Sequence, residues 1–118
     1  MPHRDEIELP VFAAWVRFLD WLLGTTEGFP KRVRFTFSSR IDALALDVLE
    51  DLVEARYTRG KTAILRRANL RLEKLRVLLR LCHGRRFLAH GAWEHAAREI
   101  DEVGRMVGGW LKQQEAGG

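Results

Sequence analysis

Residues 56–86 read RYTRGKTAILRRANLRLEKLRVLLRLCHGRR, and this stretch decides both the helical fold and the charge distribution of the chain. It contains eleven Lys and Arg residues and a single acidic residue, Glu73, so its net charge is +10. The residues before it carry a net charge of −4 and those after it −2, which together give the formal +4 of the whole chain. The protein is therefore a mildly acidic scaffold with one basic element, and a negatively charged partner is expected for that element.

The middle of this stretch predicts a helix over residues 61–83 with two apolar faces. The core face is formed by seven residues at helical spacing: Ile64, Leu65, Ala68, Leu72, Leu75, Leu79 and Cys82. On the opposite face Leu70, Val77 and Leu81, which we call the outer stripe, fall close to one angular position. Single surface leucines are common. Aligned apolar residues between basic flanks nevertheless favour an oligomer interface.

The basic residues predict a surface for nucleic acid or an acidic protein. Nine of the eleven bases in the stretch are Arg, and the planar guanidinium suits bidentate contacts to phosphate. Three more cations open the preceding helix, where they oppose the helix dipole. The predicted contact residues are Arg76, Arg80, Arg66, Arg67, Arg71, Lys74, Arg59, Lys61, Arg85, Arg86, Lys31, Arg32 and Arg34. No aromatic platform is evident, so binding is expected to depend on shape and charge more than on base sequence. A solvated basic face is the alternative.

Amphipathic segments on both sides predict three further helices. We expect helices over residues 10–24, 30–58, 61–83 and 88–113, in one domain of residues 9–114. Residues 1–8 are expected to be flexible and residues 115–118 to fray. Pro10 and Pro30 suit the first turns of their helices, and Gly24 is expected to end the first. Four such helices with short connections predict an all-α, antiparallel, up-and-down four-helix bundle.

Two further patterns give expectations for helix faces. Five acidic residues predict a solvated acidic outer face for the second helix: Asp42, Asp47, Glu50, Asp51 and Glu54. Gly104, Gly108 and Gly109 are poor helix formers, and their clustering predicts close backbone approach by a neighbouring helix.

The composition favours a binding protein over an enzyme. One cysteine excludes an internal disulfide, and Cys82 on the core face predicts a buried, unreactive thiol. His83, His90 and His95 lack metal-ligand spacing. We therefore expect no metal, no cofactor and no catalytic site, and a small enzyme or metalloprotein is the less favoured alternative. A charged start and short apolar runs predict a cytoplasmic protein without a membrane span.

Three motifs resemble those of a known family. They are Phe29-Pro30-Lys31 followed by Arg34 and Arg40-Ile41, the run LRVLLRL at residues 75–81, and the run IDEVGRMVGGW at residues 100–110. The chain resembles, over about residues 9–112, the accessory variability determinant (Avd) proteins of diversity-generating retroelements. Relatives of these proteins are encoded within intervening sequences of 23S ribosomal RNA genes.

The resemblance implies a four-helix bundle that assembles into a homopentameric barrel. It also implies a non-catalytic accessory role, in which a basic surface binds a reverse transcriptase and its template RNA during mutagenic retrohoming; DNA is a further candidate ligand. Arg76 and Arg80 match the paired arginines of the family's third-helix motif. The alternative is an interaction or structural protein of the intervening-sequence type that has no polymerase partner.

Overall fold

The computed structural model describes the backbone of residues 4–117 and the side chains of residues 10–117. Within that range the regular structure is all helical. Helix α1 spans Arg4–Glu27, α2 spans Ser39–Tyr57, α3 spans Thr62–Gly84 and α4 spans His90–Ala116. A 3₁₀ turn (Lys31–Val33) and a π-helical turn (Arg34–Ser38) lead into α2. The prediction of an all-α fold with four helices is confirmed.

The four α-helices pack around one core. Helices α1 and α3 each contact both α2 and α4. All seven predicted core residues of α3 are buried, so the core face of the basic stretch is confirmed. The indole Nε1 of Trp15 donates a hydrogen bond of 2.9 Å to the carbonyl of Ala45, and this buried bond joins α1 to α2. Phe18 and Trp21 of α1 pack against the ring of His95 on α4.

The first helix is longer than the sequence predicts. It begins at Arg4, so Pro10 lies inside it and not at its start, and residues 4–8 of the expected flexible segment are helical. Residues 1–3 lie outside the described residues. Gly24 does not end the helix, which continues to Glu27; near that end the Thr25 hydroxyl donates a hydrogen bond to the carbonyl of Trp21.

The other helix ends differ by smaller amounts. The predicted start at Pro30 falls at the 3₁₀ turn, and the regular α-helix begins only at Ser39. Val33, with φ −105° and ψ 10°, lies outside the α region and separates the two turns that precede α2. At the other end of the chain, α4 continues through the expected fraying segment to Ala116. There Glu115 accepts a 2.9 Å ion-pair hydrogen bond from Arg66.

The expectation of close approach at the α4 glycines is wrong. A Cβ atom placed on Gly104, Gly108 or Gly109 would meet no neighbouring atom within 4 Å. These glycines therefore leave open space beside α4, and no described helix packs tightly onto them.

Candidate nucleic-acid and partner interface

The outer stripe of α3 is exposed along its whole length. Leu70, Val77 and Leu81 are 55%, 56% and 49% exposed, respectively. Val77 also lines a groove of about 570 Å³ between α2 and α3, and the apolar part of the lining includes Leu44 and Leu78. The described chain thus has an apolar surface on the side of α3 that faces away from its core, as the spacing indicated.

On the side of the outer stripe that faces α2, Arg67 and Arg71 are neutralised within the chain. Arg71 Nη1 donates to both carboxylate oxygens of Asp51, at 2.6 and 2.7 Å, and Arg67 Nε donates to Asp51 Oδ1 at 2.9 Å. Arg67 also pairs with Glu54 at 2.8 Å. The hydrogen bond to Asp51 is the main cause that raises the pKa of Arg67, followed by Coulomb attraction to the same carboxylate. We call Asp51, Arg67 and Arg71 the Asp51 clamp.

The clamp corrects one expectation about the second helix. The sequence predicts that Asp51 belongs to a solvated acidic face, but this side chain is only 2% exposed and lies between α2 and α3. Asp42 is not simply solvated either, since it accepts a 2.7 Å hydrogen bond from the Thr26 hydroxyl. A buried carboxylate requires a partner. Arg67 and Arg71, one helical turn apart on the next helix, are the sequence feature that could have indicated this partner for Asp51.

The flank that faces α4 is neutralised only in part. Arg66 pairs with Glu115, and Arg76 pairs with Glu73 at 2.8 Å and approaches Asp101 at 3.6 Å. Arg80 is exposed and has no ion pair among the described residues. Of Arg76 and Arg80, the two arginines indicated by the motif resemblance, Arg80 is therefore the one whose charge is not compensated among the described residues.

A second group of cations lies at the end of the bundle where α3 turns into α4. The guanidinium groups of Arg32 and Arg85 lie 5.2 and 5.8 Å from the centre of the Phe87 ring, in cation–π contact. We call these three residues the Phe87 cluster. Lys31, Arg34 and Arg86, which adjoin it in the chain, are exposed and have no ion pair among the described residues.

The end of α3 explains how the Phe87 cluster is positioned. The amide of Phe87 donates to the carbonyl of Cys82 at 2.9 Å, and the amide of Arg86 donates to that of His83 at 3.0 Å. This hydrogen-bond pair is the Schellman motif, in which the residue after the helix cap takes the left-handed conformation. Arg86 is that residue, with φ 68°. The turn brings Phe87 back against Phe29 and Phe37, so the ring that carries the two arginines is itself fixed.

The remaining predicted contact residues are divided among three locations. Lys74 is exposed and lines the α2–α3 groove. Arg59 is exposed in the turn between α2 and α3. Lys61 is only 8% exposed, with its Nζ 5.2 Å from the centre of a Trp110 ring. Burial of Lys61 makes it a poor phosphate contact.

Two exposed aromatic side chains were missed by sequence reasoning. Phe35 is 81% exposed and Tyr57 is 77% exposed. Neither ring was predicted to be exposed, and whether either one stacks on a base stays a prediction. For Phe35 a signal was present: the core positions Val33 and Phe37 flank it, and Arg34 precedes it, which places it outside the core stripe and next to a cation.

The nucleophilic and metal-binding residue types form no site in the described range. Cys82 is buried, as expected, and this burial raises the pKa of its thiol from 9.0 to about 11. His90 approaches His83 at 3.3 Å and Glu94 at 2.8 Å. No group of three or more His, Cys, Asp or Glu residues among those described could hold a metal ion. None of the described helices is long and apolar enough to cross a membrane.

These features define a small helical bundle whose distinctive surfaces are an apolar stripe and uncompensated cations. The sequence model of the bAvd-like family matches residues 12–114. The chain therefore belongs to the bAvd-like family, which confirms the resemblance seen in its motifs. Neither a curated protein nor a solved structure matches the chain.

Proposed function

We propose that this chain is a non-catalytic, cytoplasmic accessory protein of a diversity-generating retroelement. It binds the reverse transcriptase and the template RNA, and so supports synthesis of the mutagenic cDNA. Membership of the bAvd-like family is the observation that carries this proposal. The uncompensated cations support its RNA-binding part, because phosphate contacts gain affinity from counterion release only where the cations are accessible.

The proposed RNA-binding surface includes Arg76 and Arg80, together with the Phe87 cluster. Arg80 can contact a phosphate without losing an ion pair to a described residue, whereas Arg76 would have to leave its exposed partners, Glu73 and Asp101. Such exchange is inexpensive because exposed ion pairs contribute little, about 0–1 kcal/mol. Arg67 and Arg71 contribute chiefly to the Asp51 clamp, since their charges are neutralised there.

The RNA proposal is tested by binding across a salt series. Replacement of both Arg76 and Arg80 by Ala should weaken binding to template RNA and flatten the plot of log K against log salt, by about 0.7–0.9 for each phosphate that the variant no longer neutralises. Replacement of Arg98, an exposed cation of α4, is the matched control and should change less. An unchanged slope in the double variant would exclude these residues from the RNA site.

We further propose that the helices run up and down in antiparallel order and that five copies form a barrel. Arg66 pairs with Glu115 and Arg76 with Asp101, so later positions of α3 meet earlier positions of α4, which supports the antiparallel order. The exposed outer stripe supports assembly, because three aligned apolar side chains are each about half exposed in the described chain.

Light scattering coupled to size exclusion tests the assembly. The unmodified protein should elute as an oligomer, with a pentamer as the expected size. Replacement of Leu70 and Val77 by Glu should yield a folded monomer, since both side chains are exposed in the single chain. A monomer at micromolar concentration for the unmodified protein would refute the assembly proposal.

The second candidate is an interaction protein of the ribosomal intervening-sequence type. The internal ion pairs of Arg66, Arg67, Arg71 and Arg76 favour it, because they leave less basic charge available than the sequence indicates. This candidate predicts an oligomer whose RNA binding is weak and insensitive to salt. Co-purification of a reverse transcriptase with the tagged protein would exclude it.

A further inference from the structure

Phe35 is, at 81%, the most exposed large hydrophobic side chain among those that the structure describes. It lies in the π-helical turn before α2, about one helical turn from Arg32. Its ring makes no aromatic or cation–π contact among the described residues, whereas Phe29, Phe37, Arg32 and Arg85 all contact the ring of Phe87. The ring faces of Phe35 are therefore available to a ligand.

The cations around Phe35 are available as well. The guanidinium of Arg32 lies over the ring of Phe87, and Lys31 and Arg34 lie in the same two turns as Phe35. None of these three cations has an ion pair with a described acidic residue. Arg85 reaches the same Phe87 ring from the α3–α4 turn, so cations from two separate segments converge at this end of the bundle.

An exposed aromatic ring in the same short segment as Lys31, Arg32 and Arg34 matches the chemistry by which proteins bind single-stranded nucleic acid. A base of a single strand can stack on an aromatic side chain while its phosphates contact Arg and Lys. A base within a duplex is already stacked on its neighbours and cannot do so. An acidic protein segment would use the cations but has no need of a free aromatic face.

We infer that this end of the bundle is a binding site for single-stranded RNA, in which a base stacks on Phe35 and the adjoining phosphates contact Arg32 and Arg85. The inference rests on the proposed RNA binding; to the cations of the Phe87 cluster it adds the Phe35 ring as a stacking partner and a preference for unpaired strands. It separates this site from the outer face of α3, where Arg76 and Arg80 act through charge alone.

The test compares RNA binding by Phe35 variants. Fluorescence anisotropy would measure the affinity for a labelled oligouridine and for a duplex RNA of the same length. Phe35→Ala should weaken oligouridine binding about tenfold, the size expected when one base–aromatic stack is removed, and leave duplex binding unchanged. Phe35→Trp should retain oligouridine binding, whereas Phe35→Leu should behave like the alanine variant because it keeps apolar bulk without an aromatic face.

Two controls guard against indirect effects. Leu46→Ala removes another exposed apolar side chain, on α2 and 40% exposed, and should leave both affinities unchanged. Circular dichroism should show equal thermal midpoints for all Phe35 variants, because the side chain packs against little.

Replacement of Arg32 and Arg85 by Ala should reduce the salt dependence of oligouridine binding by about 0.7 for each phosphate that is no longer neutralised.

Each outcome decides between the proposals. If Phe35→Ala leaves oligouridine binding intact while the Arg76 and Arg80 replacement abolishes it, the inference fails and the proposed function stands. Equal losses on single-stranded and duplex RNA would also overturn it, because stacking would not explain them. If the unmodified protein binds neither RNA, both fail. Loss of reverse transcriptase binding alone in Phe35→Ala would make this end a protein-docking surface and overturn the inference.

Discussion

Replacement of Asp51 by Asn should destabilise the bundle through the Asp51 clamp. The substitution preserves the volume of the side chain but removes the charge that accepts hydrogen bonds from Arg67 and Arg71. The new amide can accept on one oxygen only, and its own NH₂ group would face a guanidinium. A hydrogen bond to a charged group contributes about 1.5–3 kcal/mol.

The magnitude is set by how well the partners can rehydrate. The Asp51 side chain is 2% exposed, but those of Arg71 and Arg67 are 28% and 43% exposed, so water can replace part of what they lose. A fully buried pair that loses one partner costs about 3–5 kcal/mol. For Asp51→Asn we therefore expect the free energy of unfolding to fall by about 2–3 kcal/mol, below that range.

Urea unfolding followed by circular dichroism measures the effect. Asp47→Asn is the matched control, since Asp47 lies on the same helix, is half-buried and has no ion pair with a described residue; its effect should stay within about 0.5 kcal/mol. Added salt should leave most of the Asp51 effect in place, because buried pairs are poorly screened. A change below about 0.5 kcal/mol for Asp51→Asn would refute the argument that the clamp fastens α2 to α3.

Three further predictions concern the core and α4. The Cys82 thiol should react slowly with a disulfide reagent at neutral pH and rapidly after unfolding. Burial raises its pKa from 9.0 to about 11, so the thiol of the unfolded chain ionises at a lower pH than that of the folded chain. The unfolding free energy should therefore fall between about pH 9 and pH 11, relative to that of a Cys82→Ala variant. Trp15→Phe removes the buried bond to Ala45 and should cost about 1–3 kcal/mol in urea unfolding, with no loss if that bond is unimportant. Gly108→Ala should raise the thermal midpoint, with a gain of about 0.5–1 kcal/mol, because the added Cβ meets open space; a loss would indicate a neighbour that packs there.

The helices and the core of this protein are predictable because periodicity determines them. Leu72, Leu75 and Leu79 recur at helical spacing, and nothing local competes with their burial. The outer stripe is predictable for the same reason, because the exposure of Leu70 and Val77 follows from the spacing of residues within one helix. Local capping is less predictable: α1 runs past Gly24 with a hydrogen bond from the Thr25 hydroxyl to the carbonyl of Trp21, which the apolar pattern does not encode.

The candidate site is less predictable because its charges depend on pairs of helices. A count of Arg residues cannot distinguish Arg71, which is neutralised by Asp51, from Arg80, which has no described acidic partner. Convergence of Arg32 and Arg85 on Phe87 joins segments far apart in the chain, and only the packed helices bring them together. Which of the predicted cations contact RNA stays a prediction.

The left-handed turn at Arg86 sets the stability of the fold against the proposed RNA binding at a single residue. With φ 68°, this position favours glycine, and an ordinary side chain there costs roughly 1–2 kcal/mol. Glycine at Arg86 would therefore make a more stable protein with one cation fewer beside the Phe87 cluster. Selection for thermal stability in a laboratory screen should enrich that glycine, whereas selection for the proposed RNA binding should retain the arginine. The amino acid that is enriched at position 86 would therefore show whether binding or stability limits this end of the bundle.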